Sequence, residues 1–245
     1  MKKFLNIHEH SIEFLDSRFY PVETENGTIY YPSVTTVLDM YPKGAAFAQW
    51  LKDAGNSAGL IADRAAESGS KVHDGIERLI KGEEIEWDDK EYSLDEWNGL
   101  LRFKDFYERF NPKVISCESM VYSHEKKYAG MCDLVCEFNG QRWLLDNKFS
   151  NNIWVTYHMQ VAAYKSAWEE IHPNLPIDSC GILWLKAQTR TEGRKGSIQG
   201  VGWKIEVTDN VDRMYEMFLK TLDIYYFENP DPKPKNIELP SKIKL

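Results

Sequence analysis

The sequence predicts a mixed α/β (α+β) fold, in which a central mixed β-sheet is flanked by helices and preceded by a helical elaboration. Apolar residues recur at helical spacing through much of the first half, and short alternating segments typical of strands begin at Val114. From there strands and helices alternate, which favours helices packed around one sheet. With 245 residues, 42% of them hydrophobic, the chain can bury a substantial core.

The first half of the chain predicts strands followed by helices. Residues 11–31 indicate short strands joined by turns, and Ser33 leads into a short helix. Longer helices are predicted over residues 44–53, 61–81 and 94–110. In the helix over 61–81, Val72 and Ile76 begin an apolar stripe at helical spacing, so this face is expected to pack against a core.

The second half predicts the main sheet and the remaining helices. Strands are predicted over residues 114–122, 131–138, 141–149, 180–188 and 200–207, and helices over residues 153–171 and 209–228. We expect a single domain over residues 1–228, with a helical part at about 33–110 and a core at about 111–228. Residues 229–245 predict an extended tail, because prolines recur at its start.

Composition and charge bound the class of protein. No apolar run approaches the ~20 residues of a membrane-spanning helix, and no apolar stretch follows Lys2 and Lys3. We therefore expect no membrane span, no signal peptide and a cytoplasmic location. The formal net charge of −8 argues against a protein that coats nucleic acid, but not against an enzyme that gathers acidic residues around a metal.

Asn139-Gly140 lies between two alternating apolar segments and predicts a two-residue β-hairpin. Both residues tolerate the positive φ of a type I′ turn. The turn pairs Phe138 with Gln141, and that pair fixes the register of the two strands. Five positions further along each strand, Asp133 is predicted to lie opposite Asp146.

These opposed aspartates make the hairpin a candidate active site. At a separation of about 5 Å and an effective dielectric of about 20, their repulsion is roughly 3 kcal/mol, which a nearby positive charge must offset. A hard divalent cation, Mg²⁺ or Mn²⁺, would offset it. Lys148 shares their face of the sheet and would offset part of it without a metal. The alternative is a surface strand pair whose charges are solvated.

Several motifs occur in order around this hairpin. They are Gly69–Glu77, which contains a histidine on a helix, Gly130–Asp133, the DxK triplet Asp146–Lys148, and the QxxxY motif Gln160–Tyr164. Together they resemble the PD-(D/E)xK nuclease superfamily, and most closely its RecB-like exonuclease branch. Tyr31–Leu38 is also similar to the opening segment of phage and mitochondrial genome-maintenance exonucleases of this branch. The resemblance implies a restriction-endonuclease-like core and metal-dependent hydrolysis of DNA.

The resemblance also implies a set of metal ligands for Mg²⁺ or Mn²⁺. Asp133 and Asp146 would be carboxylate ligands, and the backbone carbonyl of Asn147 would be a third oxygen ligand. His73 would add an imidazole, although a lone histidine on an amphipathic helix is alternatively a hydrogen-bonded core residue. Glu118, on the preceding strand, would be a further ligand, directly or through water, or else a solvated carboxylate.

The remaining motif residues are assigned supporting roles in catalysis. Lys148 would orient and help deprotonate the attacking water, or stabilise charge on the phosphate. Gln160 and Tyr164 are neighbours on one helix face, so both would contact DNA or the catalytic residues. Tyr164 also belongs to an apolar stripe, and core packing is its alternative role.

A basic group surrounds the predicted loop over 188–200. It is the candidate for contact with the phosphate backbone, and a solvated charged loop is the alternative. Its members are Lys186, Arg190, Arg194, Lys195 and Lys204.

The sequence thus predicts a metal-dependent DNA nuclease, preferably an exonuclease of recombination, repair or phage DNA processing in a bacterial or phage-infected host cell. Its expected partners are a single- or double-stranded DNA end and a recombination or replication protein. Some PD-(D/E)xK nucleases hold an iron–sulfur cluster on one early and three late cysteines. Here only Cys180 lies beyond the active-site helix, so no cluster is expected. The alternatives are a catalytically inactive DNA- or protein-binding member of the same fold, and an enzyme acting on a small phosphorylated substrate.

Overall fold

The computed structural model describes residues 5–15, 17–187 and 202–235. The strands in these residues are β1 (Leu5–Ile7), β2 (Ile12–Phe14), β3 (Ser17–Thr24), β4 (Gly27–Pro32), β5 (Lys113–Ser123), β6 (Tyr128–Phe138), β7 (Gln141–Lys148), β8 (Ser179–Trp184) and β9 (Lys204–Val207). The helices are α1 (Val34–Leu38), α2 (Gly44–Ala54), α3 (Ala58–Ile80), α4 (Leu94–Phe110), α5 (Val155–Ile171) and α6 (Val211–Glu228). None of these helices is both long and apolar enough to cross a bilayer.

The strands form two sheets. The first sheet has the order β1-β2-β3-β4 and is antiparallel throughout. The second has the order β5-β6-β7-β8-β9, and its only parallel pair, among the described residues, is β7–β8. A parallel pair requires a crossover connection, which α5 provides. The predicted class, a mixed central sheet flanked by helices, is therefore confirmed.

Helices cover both faces of the five-stranded sheet. On one face, Leu134 of β6 and Leu145 of β7 pack in a cluster with Phe103 and other side chains of α3 and α4. On the other face, the adjacent residues Val135 and Leu144 pack with α1, α5 and α6. Side chains alternate between the two faces of a strand, so β6 and β7 are buried on both sides. Burial on both faces explains the apolar pairs Leu134-Val135 and Leu144-Leu145 at the centre of these two strands.

Most predicted element boundaries agree with the structure to within a few residues. The helix predicted over 94–110 is α4, whose N-terminus carries a capping box between Ser93 and Glu96. The strand predicted over 180–188 is shorter than expected, because β8 ends at Trp184. The predicted loop 188–200 and residues 236–245 of the predicted tail lie outside the described residues.

The first sheet and the N-terminal helices meet the second sheet differently. The first sheet packs on β6, where Tyr20, Tyr31 and Ala129 share a small apolar cluster. By contrast, α2 and the first half of α3 carry no buried side chain over residues 44–71. Residues 44–71 therefore contribute no side chain to the buried core.

Candidate metal and carboxylate site

The β6–β7 hairpin places the two aspartates just beyond its paired region. The turn residues Asn139-Gly140 have φ of 50° and 74°, as a type I′ turn requires. The predicted register is confirmed from the turn as far as Leu134 opposite Leu145, where the pairing ends. Asp133 and Asp146 are therefore not a paired position, and the prediction that they face each other within the ladder is wrong.

Beyond the last strand pair, the side chain of Asp133 accepts a backbone hydrogen bond from β7. Asp133 Oδ2 accepts from the Asn147 N–H at 2.7 Å. The N–H and C=O of one residue in an extended strand point to the same side, so the Asn147 carbonyl is also directed toward β6. Asp133 and Asn147 are both buried. This arrangement puts the predicted carbonyl ligand on the same side of β7 as the Asp133 carboxylate.

Three side chains from different elements, those of His73, Glu118 and Asp133, lie close together. His73 Nδ1 of α3 lies 3.4 Å from Asp133 Oδ2 and 3.9 Å from Glu118 Oε1 of β5. One ligand atom from each residue lies within 4.8 Å of the other two. Ligands on opposite sides of a Mg²⁺ ion at roughly 2.1 Å are about 4.2 Å apart, so the three donors fit one divalent cation after a small closure.

Glu118 reaches this group through an unusual backbone conformation. Its φ is 46°, which is uncommon for a residue other than glycine. The pairing of β5 with β6 includes Cys117 and Ser119 but not Glu118. Residues held in sparsely populated conformations occur preferentially at functional sites, which favours the ligand role of Glu118 over that of a solvated carboxylate.

Asp146 lies at the centre of a second group of polar side chains. Its Oδ1 accepts a hydrogen bond from Gln160 Nε2 at 3.0 Å, and the same nitrogen is 3.0 Å from the Tyr164 hydroxyl. Its Oδ2 forms an ion pair with Lys148 Nζ at 2.7 Å but accepts no well-aligned hydrogen bond from the described residues. Asn147 Oδ1 is likewise buried, and no donor in the described part of the chain reaches it. Buried oxygen atoms that are not fully hydrogen-bonded are the kind of ligand that a hard cation prefers.

Tyr164 is both part of this polar group and part of the core. It is buried, which agrees with its alternative role in core packing, and it also contacts Gln160. A Cβ atom at Gly130 of β6 would lie 2.4 Å from its ring. The absence of a side chain at Gly130 therefore allows Tyr164 to approach β6.

Burial and charge together set the protonation of the site. Burial raises the pKa of Asp146 to about 6, although Lys148 opposes the shift. Burial raises the pKa of Asp133 as well, against the opposing charge of His73. Burial lowers the pKa of His73, but the nearby carboxylates of Asp133 and Glu118 outweigh burial and raise it to about 9. Without metal, protonated His73 and Lys148 therefore supply positive charge that a divalent cation would otherwise supply.

The basic residues predicted to contact DNA are only partly described. Arg190, Arg194 and Lys195 lie outside the described residues. Lys186 is paired with Asp95 at 2.6 Å, and Lys204 is paired with Glu206 at 2.7 Å. The structure therefore does not bring these two lysines to the carboxylate site, and acidic residues already balance their charges.

Two residues near the site were not singled out from the sequence. Lys148 Nζ lies 5.0 Å from the ring centre of Tyr157, so this ring helps to hold the ammonium group. Tyr157 precedes Gln160 by one helical turn, and that spacing is the signal that could have revealed it. Burial raises the pKa of Tyr20, with smaller effects from Arg18, Glu118 and Asp133. Tyr20 belongs to the first sheet, so no local pattern indicated that it would lie near the carboxylates.

Comparisons with known proteins add no family to this description. The chain matches no protein-family model, and a search of curated proteins returns no significant match. The arrangement of the side chains is therefore the main support for any function.

Proposed function

We propose that the chain is a Mg²⁺- or Mn²⁺-dependent deoxyribonuclease that acts as an exonuclease. The observation that carries this proposal is the convergence of carboxylates, a histidine and a lysine from α3, β5, β6 and β7 in one largely buried cluster. The members of this cluster are His73, Glu118, Asp133, Asp146 and Lys148. The same residues, apart from Glu118, also carry the sequence resemblance to PD-(D/E)xK nucleases.

The chain's own residues would divide the work of phosphodiester hydrolysis. Asp133, Asp146, Glu118, His73 and the Asn147 carbonyl would hold the ion. When bound, the ion supplies charge neutralisation at the phosphate and a lower pKa for water. Its binding requires a neutral imidazole, so the proton on His73 must leave when the ion enters.

Lys148 would act directly on the reacting groups. Its side chain is 17% exposed, and its ammonium group lies beside the Asp146 carboxylate and the Tyr157 ring. The charges of Asp146 and Asp133 outweigh the effect of burial and raise the pKa of Lys148, so the group is protonated at neutral pH. A protonated lysine in this place would orient the attacking water by donating a hydrogen bond and would stabilise negative charge on the phosphate.

Gln160 would be a positioning residue. Its amide donates to Asp146 Oδ1, which leaves Oδ2 of the same carboxylate facing Lys148. Because Gln160 is buried and lies next to Tyr164, its rotation is restricted. We expect this contact to fix the orientation of the Asp146 carboxylate in the presence and absence of metal.

The test is cleavage of end-labelled linear DNA, single- and double-stranded, with Mg²⁺, Mn²⁺ or EDTA. We expect metal-dependent release of one or a few nucleotides, and a loss of at least about a hundredfold in the Lys148→Ala protein. The matched control is Lys104→Ala, because Lys104 is an exposed lysine on the outer surface of α4. Internal cutting of closed circular DNA as the main product would overturn the exonuclease assignment. DNA binding without cleavage would point to the catalytically inactive alternative.

A further inference from the structure

A cleft of about 390 Å³ opens between the N-terminus of α5 and the segment that joins α1 to α2. Its volume lies within the range of natural ligand sites. Its walls are mainly aromatic and aliphatic, with a few polar groups at the edges. The apolar lining residues are Leu38, Tyr41, Pro42, Phe47, Trp154, Val155 and Tyr157.

The cleft is continuous with the carboxylate site. Tyr157 and Gln160 line it. The same Tyr157 ring lies 5.0 Å from Lys148 Nζ, and the same Gln160 amide donates to Asp146 Oδ1. A molecule in the cleft would therefore lie one side chain away from the residues proposed to act on a phosphate.

Large apolar side chains at this cleft remain accessible. Trp154 is 48% exposed and Val155 is 44% exposed. On the other wall, Phe47 lies on α2, a helix with no buried side chain. Exposed apolar residues that are grouped around a concave surface, unlike scattered ones, mark a binding site.

The charges of the cleft favour an uncharged part of a ligand. Lys43, the one lysine among the described residues that line the cleft, is 3.3 Å from Asp39 and lies 5.2 Å from the Phe47 ring centre. The acidic and basic side chains at the edge thus balance each other. Such a cleft suits the flat face of a nucleobase better than the charged phosphate backbone.

We infer that the aromatic cleft binds unpaired bases of single-stranded DNA by stacking, next to the phosphate to be cleaved. This inference rests on the proposed function, because the carboxylate site supplies the reason why DNA would be present. Only unpaired bases expose their faces to aromatic side chains, so the ligand is a single-stranded segment or a frayed end. The cleft would select by unpaired structure and not by base sequence, since every base has a face that can stack.

The test measures binding without cleavage, in EDTA, by fluorescence anisotropy of a labelled single-stranded oligonucleotide. A second oligonucleotide of the same length carries abasic residues in place of all its bases, so its backbone charge is unchanged. We expect the base-containing strand to bind at least about tenfold more tightly to the unmodified protein. Trp154→Ala and Phe47→Ala, on opposite walls, should each reduce that preference severalfold. Phe227→Ala removes an aromatic ring that is 83% exposed elsewhere and should leave it unchanged.

The outcomes separate this inference from the proposed function. Equal binding of the two oligonucleotides, or binding of neither, would overturn the inference whether or not the protein cleaves DNA, and would leave the cleft to a protein partner. A base preference that survives both cleft substitutions would also overturn it, because the bases would then bind elsewhere. If the base preference depends on Trp154 but the protein shows no metal-dependent cleavage, base binding in the cleft would be supported and the nuclease function rejected.

Discussion

Two ion pairs on β7 differ in environment more than in distance. Arg142 Nη2 lies 2.9 Å from Glu137 near the turn, and Lys148 Nζ lies 2.7 Å from Asp146 at the other end. The Glu137 side chain is 36% exposed, whereas that of Asp146 is 1% exposed. The hydrogen bond from Arg142 lowers the pKa of Glu137, whereas burial raises the pKa of Asp146 to about 6.

The comparison shows that contact distance alone does not tell what a carboxylate does. The exposed pair is an ordinary surface interaction, in which the cation favours the ionised form and water screens the rest. At the buried pair, desolvation outweighs the attraction of the lysine, so the ionised carboxylate is held at an energetic cost. A buried carboxylate whose ionised form is costly gains from binding a metal ion, which offsets that cost. An exposed carboxylate such as Glu137 has no such cost to offset.

The largest expected difference between the two pairs is in catalysis. Asp146→Asn removes a charged ligand and should lower metal-dependent DNA cleavage by at least about a thousandfold, roughly 4 kcal/mol of transition-state stabilisation. Glu137→Gln keeps the shape of the exposed pair and should change the rate less than about twofold. The measurement is the single-turnover rate at saturating Mn²⁺. Comparable losses in the two variants would show that the buried pair has no special role.

The second difference is the sign of the pH dependence of stability without metal. The pKa of Asp146 in the folded protein, about 6, is above its ordinary value of 3.8, so the folded state binds this proton more tightly. Its contribution is fully present below pH 4 and is lost as pH rises to about 6, an effect of up to roughly 3 kcal/mol. Glu137, whose pKa is lowered, contributes in the opposite direction, and its stabilisation is lost as pH falls below about 4.5.

Urea unfolding in EDTA at several pH values distinguishes these contributions. As pH rises from 4 to 6.5, the free energy of unfolding of Asp146→Asn should increase relative to that of the unmodified protein. Glu137→Gln should differ from the unmodified protein only at acidic pH, where it should not lose the stability that protonation of Glu137 removes. A constant difference between Asp146→Asn and the unmodified protein across this range would show that burial does not govern this carboxylate. His73, with its pKa raised to about 9 from 6.5, adds a separate loss of stability between those two pH values.

The smallest expected effect is on the free energy of unfolding and concerns two glycines, Gly130 in β6 near the buried pair and Gly140 in the turn near the exposed pair. Gly130→Ala places a Cβ 2.4 Å from the Tyr164 ring, so we expect a loss of about 1–3 kcal/mol in the free energy of unfolding. Gly140→Ala meets no atom of the described residues within 4 Å but is strained at φ +74°, which should cost about 1 kcal/mol. Only the first should also impair cleavage, because Tyr164 contacts Gln160 and Gln160 holds Asp146. Unimpaired cleavage by a folded Gly130→Ala protein would separate Tyr164 from the site.

The sequence by itself determined the local geometry. Asn139-Gly140 dictated the turn and five positions of strand register, because positive φ and alternation are properties of neighbouring residues. The mixed sheet and the bounds of α4 also followed from the periodicity and order of the predicted elements. The grouping of Gln160 with Tyr164 followed from helical spacing alone.

The tertiary structure alone decided the features that depend on distant segments. The end of the β6–β7 pairing before Asp133 and the positive φ of Glu118 leave no local pattern in the sequence. Desolvation, which raises the pKa of Asp146, depends on everything packed around the group. The cleft beside Trp154 exists because α1 and α5, more than one hundred residues apart in sequence, meet over one face of the sheet. Periodicity describes which face of an element is apolar, and only the packed fold determines what that face meets.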